Sequence, residues 1–287
     1  MKLKKLLCLA LAAIVMATCF VGCGSSKSGD SSKKSDSKTV FKPDGESKGT
    51  LKLGFDAEYP PYGYLDTKTN QYVGFDIDLA KAACKSINYT LELVPVDWDY
   101  KDAELDSGTI DCIWSGFTMN SMDDDGVNRS EKYTWSGSYS DNSIVILVKG
   151  DSIKKLSDLS GKIVKVQAGS SGESALKENT KLVATFNGGN YETCKDYTSA
   201  FTELESGAVD ALAIDIGVAK KLIDGKDGYV ILDEEISSEK YGIGFKKGNT
   251  KLRDTIWNAI LSLDEKTIDD LAKKYDLVGS INIDRGE

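Results

Sequence analysis

The chain has no histidine, and arginine occurs only at Arg129, Arg253 and Arg285. The first absence removes the commonest general base and the commonest metal ligand. Serine–histidine and cysteine–histidine catalysis go with it, as do zinc sites built on imidazole. Carboxylate and lysine chemistry stay open. Positive charge is also in short supply, since 45 acidic residues outnumber 36 basic ones for a net charge of −9. Nucleic-acid binding needs a basic face to meet phosphate and is not expected. One arginine can still hold a small anion against that global field. Long apolar runs are missing except at the N-terminus. With 40% hydrophobic and 28% charged residues, the composition is that of a globular protein, and 287 residues suffice for one or two domains.

The N-terminal exception is "MKLKK" followed by the 17-residue run "LLCLALAAIVMATCFVG". A cationic start and an apolar stretch read as a signal peptide over residues 1–22. A membrane-spanning anchor is the competing reading, because the run is near spanning length. The end of the run, "FVGC", favours the first. Gly22 precedes Cys23 and a polar tract follows, which resembles a bacterial lipobox, with Phe20 where leucine is usual. That resemblance implies a lipidated Cys23, and two or more acyl chains anchor stably. Residues 23–49 have almost no apolar content and are expected to form a flexible tether. Globular structure is expected from about Thr50, on the extracellular face of the membrane. Cys84, Cys112 and Cys194 remain, an odd number without metal spacing. Cys84 and Cys112 sit in apolar patterns and are expected as small buried side chains. No metal and no cofactor is expected.

From there the pattern is α/β. "LKLGFD", "TLELVPV" and "TIDCIWSGF" read as strands, with helices at "DIDLAKAACKSI" and "KDAELDSG" between them. In the first helix Ile77, Ala80, Cys84 and Ile87 share a face. The pattern restarts with strands at "NSIVILVKG", "KIVKVQAG", "VDALAID" and "YGIGFKKG", helices between them, and two helical runs at the end of the chain. Two doubly wound units with polar residues at strand ends predict a cleft between them.

Three stretches carry candidate chemistry. In "VQAGSSG" (166–172), Ser170 and Ser171 stand at a strand-to-helix junction, where they either cap a helix or offer N–H groups to an anion. Asp215 ends the apolar strand "VDALAID", as a cap or as a carboxylate able to hold an ammonium group. "FDAEYPPYGY" sets Asp56, Tyr59 and neighbouring tyrosines on a loop stiffened by Pro60 and Pro61.

"GFDIDLAKAACKSI" (74–87) resembles the signature of the family 3 extracellular solute-binding proteins, the polar amino acid receptors of ABC importers. "FDAEYPPYGY", "DSGTIDCIWSGFT", "VQAGSS", "ESGAVDALAID" and "YGIGFKKGN" follow in the family's order, so the resemblance spans roughly residues 50–280. It implies a two-lobe periplasmic-binding-protein-like clamp (type II), each lobe a doubly wound sheet with helices on both faces. The first lobe would hold residues 50–138 and 240–287. The second would hold 139–239, including two hinge strands. The resemblance further implies an extracellular, lipid-anchored, monomeric protein that delivers a free amino acid to an ABC permease and ATPase and performs no catalysis. Asp215, Thr118 and the Gly116 carbonyl would take the ligand's ammonium group. Arg129 and the N–H groups of Ser170 and Ser171 would take its carboxylate. Tyr59 and Trp98 would sandwich its side chain, with Asp56 and Gln167 at the tip. A polar tip such as glutamine or cystine is favoured, and a basic amino acid comes next. The alternatives are a dehydratase-like enzyme on the same fold and a ligand-sensing module. The missing histidine counts against the first, and the lack of a second long apolar run counts against the second.

One stretch departs from the family pattern. In "SGFTMNSMDDDGVNRSEKYTWS" (115–136), Thr118 and Arg129 stand eleven residues apart, where a few are usual, so "SMDDDGV" reads as an insertion. Its aspartates lack the alternating spacing of an EF-hand loop. The run is expected to form a solvated turn closing on Gly126.

Overall fold

The computed structural model of the protein describes residues 39–123 and 125–286. The signal peptide, Cys23, the tether up to residue 38 and Asp124 lie outside the described residues. The main sheet orders its strands Val40–Phe41, Tyr89–Pro95, Gly49–Phe55, Cys112–Thr118, Ser237–Phe245, Ser140–Lys149, Ala211–Asp215, Val164–Gln167 and Glu192–Cys194. The strands Tyr89–Pro95, Gly49–Phe55 and Cys112–Thr118 run parallel in one half, and Ala211–Asp215, Val164–Gln167 and Glu192–Cys194 in the other. The two halves meet where Ser237–Phe245 pairs antiparallel with Ser140–Lys149, from Ser237 opposite Ile144 to Tyr241 opposite Ser140. The result is a type II two-lobe clamp, joined by two crossing strands.

Strand periodicity explains the second half. Along Ser140–Lys149, Val145 and Leu147 enter one apolar cluster, while Ile144, Ile146 and Val148 enter another on the opposite face. Leu212 and Ile214 alternate against Ala211 and Ala213 in the same way. Such runs must be apolar throughout because both faces are covered. In the first half Leu51, Leu53 and Phe55 pack one face, and Ile113, Phe117, Trp98 and Trp135 fill the other. The helix Phe75–Ser86 buries Ile77, Ala80 and Cys84, as its spacing predicts, while Ile87 is half-buried. The two C-terminal helices, Thr250–Leu261 and Glu265–Lys274, add Ile256, Ala259, Ile260 and Ala272 to the cluster that holds this helix.

The structure corrects three expectations. Strand structure is present ten residues before Thr50, within the stretch expected as a tether, because Val40–Phe41 pairs antiparallel with Tyr89–Pro95 as an edge strand. The strand expected at "YGIGFKKG" starts earlier, at Ser237. "FDAEYPPYGY" is not a plain loop. It opens a three-stranded antiparallel sheet made of Glu58–Tyr59, Gly63–Asp66 and Gln71–Val73, and its Pro60–Pro61 bond is cis. Cys84, Cys112 and Cys194 are all free thiols. Among the described residues no helix is long and apolar enough to cross a membrane.

Gly74, the first residue of the signature, enters the helix at φ 142°. A Cβ there would lie 2.1 Å from the Tyr62 carbonyl oxygen. Both conformation and space demand glycine. Gly74→Ala is therefore expected to lower unfolding free energy by about 1–3 kcal/mol or more. Urea denaturation checks this, and a loss below about 0.5 kcal/mol would contradict it.

Candidate ligand-binding site

Parallel strands carry their chemistry to the carboxyl ends, and four of them converge here. Asp56 follows Gly49–Phe55, Thr118 ends Cys112–Thr118, Gln167 ends Val164–Gln167, and Asp215 ends Ala211–Asp215. A narrow cavity lies between the lobes. Asp56, Tyr59, Trp98, Gly116, Thr118, Arg129, Gln167, Ser170, Ser171 and Asp215 all line it, and the one further lining residue is Ser115.

Contacts cross the cleft at four places. Arg129 Nη2 donates to the Gly169 carbonyl at 2.8 Å, and Trp98 Nε1 donates to the same oxygen at 3.1 Å. Thr118 Oγ1 lies 3.1 Å from Ser171 Oγ. Gln167 Nε2 donates to Asp56 Oδ2 at 2.7 Å and to the Lys195 carbonyl at 3.0 Å. At the rim Lys195 Nζ lies 2.7 Å from Asp97. The lobes are closed on each other.

Each candidate group has a distinct setting. Asp215 stands at the start of the helix Ile216–Leu222, yet its side chain makes no capping bond. Its Oδ1 instead accepts from Tyr241 OH at 2.5 Å and Asn142 Nδ2 at 2.7 Å. It is 1% exposed, and burial raises its pKa. Ser170 does cap its helix. Its Oγ accepts from Glu173 N at 3.1 Å, and its own N–H points to the Gln167 carbonyl at 3.4 Å. With Glu173 N on that cap and Ser174 N on the Ser170 carbonyl, the N–H groups at the helix start that could meet an anion are those of Ser171 and Gly172. Gly116 has φ 53°, and a Cβ there would lie 2.7 Å from the Tyr59 ring. Its N–H is held at 2.7 Å by Asp76 Oδ2, a fully buried carboxyl pushed up to about 7 by burial. Asp56 is pushed up to about 6, again by burial first. Among the described residues no lysine or arginine forms an ion pair with it.

The expected turn closing on Gly126 is present and exposed at residues 125–127, but the setting of Arg129 corrects the expectation at Asp123, which is buried. The inserted residues fold back as a small hairpin, with Asp123 N donating to the Val127 carbonyl and Gly126 N to the Asp123 carbonyl, each at 2.9 Å. Asp125 is exposed, but Asp123 points inward and is 6% exposed. Its carboxylate lies 3.4 Å from Arg129 Nε, 2.5 Å from Lys132 Nζ and 3.7 Å from Lys101 Nζ, and accepts from Tyr133 OH at 3.1 Å. Burial works to raise its pKa, but Arg129, Lys101 and Lys132 outweigh this and hold it well below the usual carboxylate range. Arg129, 1% exposed, also stacks 4.8 Å above the Phe117 ring. Sequence reasoning also missed Asn142, Glu239 and Tyr241, which surround Asp215 from the crossing strands. Their strand-like polar positions beside the cleft were the available signal.

The decisive comparison is with a known family. Residues 51–278 match the bacterial extracellular solute-binding proteins, family 3. The chain belongs to that family. Among similar proteins, the L-cystine-binding protein TcyJ of Escherichia coli is 28% identical over 233 residues, covering 79% of this chain and 83% of that one. The arginine-binding extracellular protein ArtP of Bacillus subtilis is 30% identical over 277 residues, covering 95% and 98%. The solved structure of a histidine-bound ABC uptake transporter substrate-binding protein from Streptococcus pneumoniae has a TM-score of 0.72 and 31% identity, covering 79% of this chain and 92% of that one.

Asp123→Ala is expected to lower unfolding free energy by about 3–5 kcal/mol at pH 7, since it strands buried cations. The folded-state pKa of Asp123 lies below the unfolded one, so its contribution is present above about pH 4 and fades as pH falls further. Denaturation at pH 7 and pH 3 reads both, and equal deficits at the two values would contradict the assignment.

Proposed function

We propose that this protein is the lipid-anchored, extracellular receptor of an ABC importer, closing its two lobes on one free amino acid. The single observation that carries the reading is the charge layout of the cavity. A buried guanidinium, Arg129, and a buried carboxylate, Asp215, line the same cavity. A zwitterion supplies the opposite charge to each, and desolvating it without both partners would be costly. Arg129 and the Ser171 turn take the carboxylate, and Asp215 with Thr118 takes the ammonium group. Tyr59 and Trp98 flank the side chain. The crossing strands act as the hinge, with residues 50–138 and 240–287 moving against 139–239.

The tip of the cavity favours a basic side chain over the neutral polar one expected from sequence. Asp56 is buried and lacks a cationic partner, which a guanidinium or ammonium group would provide. The names of the similar proteins, L-cystine-binding, arginine-binding and histidine-bound, include both classes, so the choice rests on Asp56. Binding without chemistry is favoured over dehydratase-like turnover, because the cleft spends its charges on holding a zwitterion and the chain has no histidine.

Calorimetry against the twenty amino acids, ornithine and cystine, with mass analysis of the recovered ligand, tests this. A basic amino acid is expected to bind tightest and to be recovered unchanged, with Asp56→Asn costing it at least about tenfold in affinity, or 1.4 kcal/mol. Glutamine or cystine binding tightest would reverse the choice of side chain, and no binding or an altered ligand would refute the function. Cys23→Ser is expected to move the protein from the membrane fraction to the medium, as read by fractionation. A protein that stays membrane-bound contradicts the anchor.

A further inference from the structure

Glu239 lies on the crossing strand Ser237–Phe245, behind the cavity wall rather than in it. Its side chain is buried, and its Oε2 gathers donors from three other elements. Thr118 Oγ1 donates at 2.9 Å from the end of a first-lobe strand. Ser171 Oγ donates at 3.0 Å from the start of a second-lobe helix. Asn142 Nδ2 donates at 3.0 Å from the other crossing strand. The same Asn142 nitrogen donates to Asp215 Oδ1 at 2.7 Å, so one amide bridges two buried carboxyl groups. Among the described residues, no lysine or arginine forms an ion pair with either carboxyl.

We propose that Glu239 is a positioning residue for ligand capture: it ties both lobes to the hinge through Thr118 and Ser171, and lends its charge to the ammonium site at Asp215. The proposal rests on the amino acid reading above. It assigns a role to a residue that touches no ligand, through two groups that do.

The charge half follows from the pairing. Two carboxylates bridged by one amide repel each other, and a buried one is costly by itself. Burial first, then Asp215, pushes the Glu239 carboxyl up to about 7. The charged or titratable groups facing it are Asp215 at the end of Ala211–Asp215 and Tyr241 on its own strand. Thr118, Ser171 and Asn142, from the other three elements, carry no charge. When protonated, Oε1 presents its hydrogen to Ser237 Oγ, 3.3 Å away, and Oε2 keeps its three donors. An ammonium group arriving at Asp215 favours the ionised form, so that proton leaves to the buffer. Affinity therefore rises with pH through the ligand-free pKa and levels off above it.

The test compares the mature domain with Glu239→Gln and Glu239→Ala, using the amino acid that binds tightest in the calorimetric panel. Wild-type affinity is expected to rise about tenfold from pH 6 to pH 8, with about half a proton released per ligand at pH 7. Glu239→Gln keeps an acceptor for the three donors and loses the charge. Its affinity is expected to change less than about twofold over that range. Glu239→Ala loses the acceptor as well and is expected to bind more weakly than Glu239→Gln at both pH values. A pH slope in Glu239→Gln equal to wild type overturns the charge role, and equal affinities of the two variants overturn the positioning role. The carboxyl-carbon resonance of Glu239 in the ligand-free protein provides a readout that needs neither variant nor ligand. A midpoint near 7 supports the proposal, and one at the usual 4–5 overturns it even if no amino acid binds.

Discussion

A guanidinium that is 1% exposed is costly to bury unless acceptors replace its lost water. Much of the clamp is arranged around that constraint on Arg129. The Gly169 carbonyl reaches it from across the cleft, Asp123 reaches it from the inserted hairpin, and the Phe117 ring lies beneath it. None of these contacts uses up the whole guanidinium, so donors remain for a carboxylate. Because Gly169 belongs to the second lobe and Arg129 to the first, the same desolvation that readies the site also favours closure. Trp98 donates to the same carbonyl and so shares that cross-cleft contact.

Much of this architecture was legible in the sequence, because strand and helix periods are local. The alternation along "NSIVILVK" and "ALAID" and the spacing of Ile77, Ala80 and Cys84 encode which face is covered, and the structure covers those faces. Residues at strand ends were legible for a similar reason. A polar side chain closing an apolar strand, such as Thr118, Gln167 or Asp215, stands out against its neighbours. Val40–Phe41 was not legible, because a two-residue edge strand needs a partner strand that its own sequence does not reveal.

The burial of Asp123 in the turn was missed for an electrostatic reason. Consecutive aspartates beside a glycine describe a solvated turn as long as each is considered with its sequence neighbours. Asp123 is buried because Lys101, Arg129 and Lys132, which lie 22, 6 and 9 residues away, converge on it. Its neighbour Asp125 behaves as the local pattern predicts, remaining exposed and meeting Lys132 at 2.9 Å. One residue of alternation separates an anchor from a surface group, and the fold decides which is which.

The crossing strands carry the longest-range consequence. A hinge built from bare backbone would let the lobes move with no knowledge of what the cleft holds. Here the strands bring Asn142, Glu239 and Tyr241 against Asp215, so the crossing strands and the proposed ammonium site share hydrogen bonds. Opening the lobes must separate Thr118 from Ser171, and at least one of them from the oxygen on Glu239 that both now bond. Opening therefore alters the surroundings of two buried carboxyl groups, and filling the site alters the energy of opening. Coupling of this kind is reciprocal. On the proposed function no relay between site and hinge is needed, because Asp215 and Glu239 share one amide, Asn142, on a crossing strand.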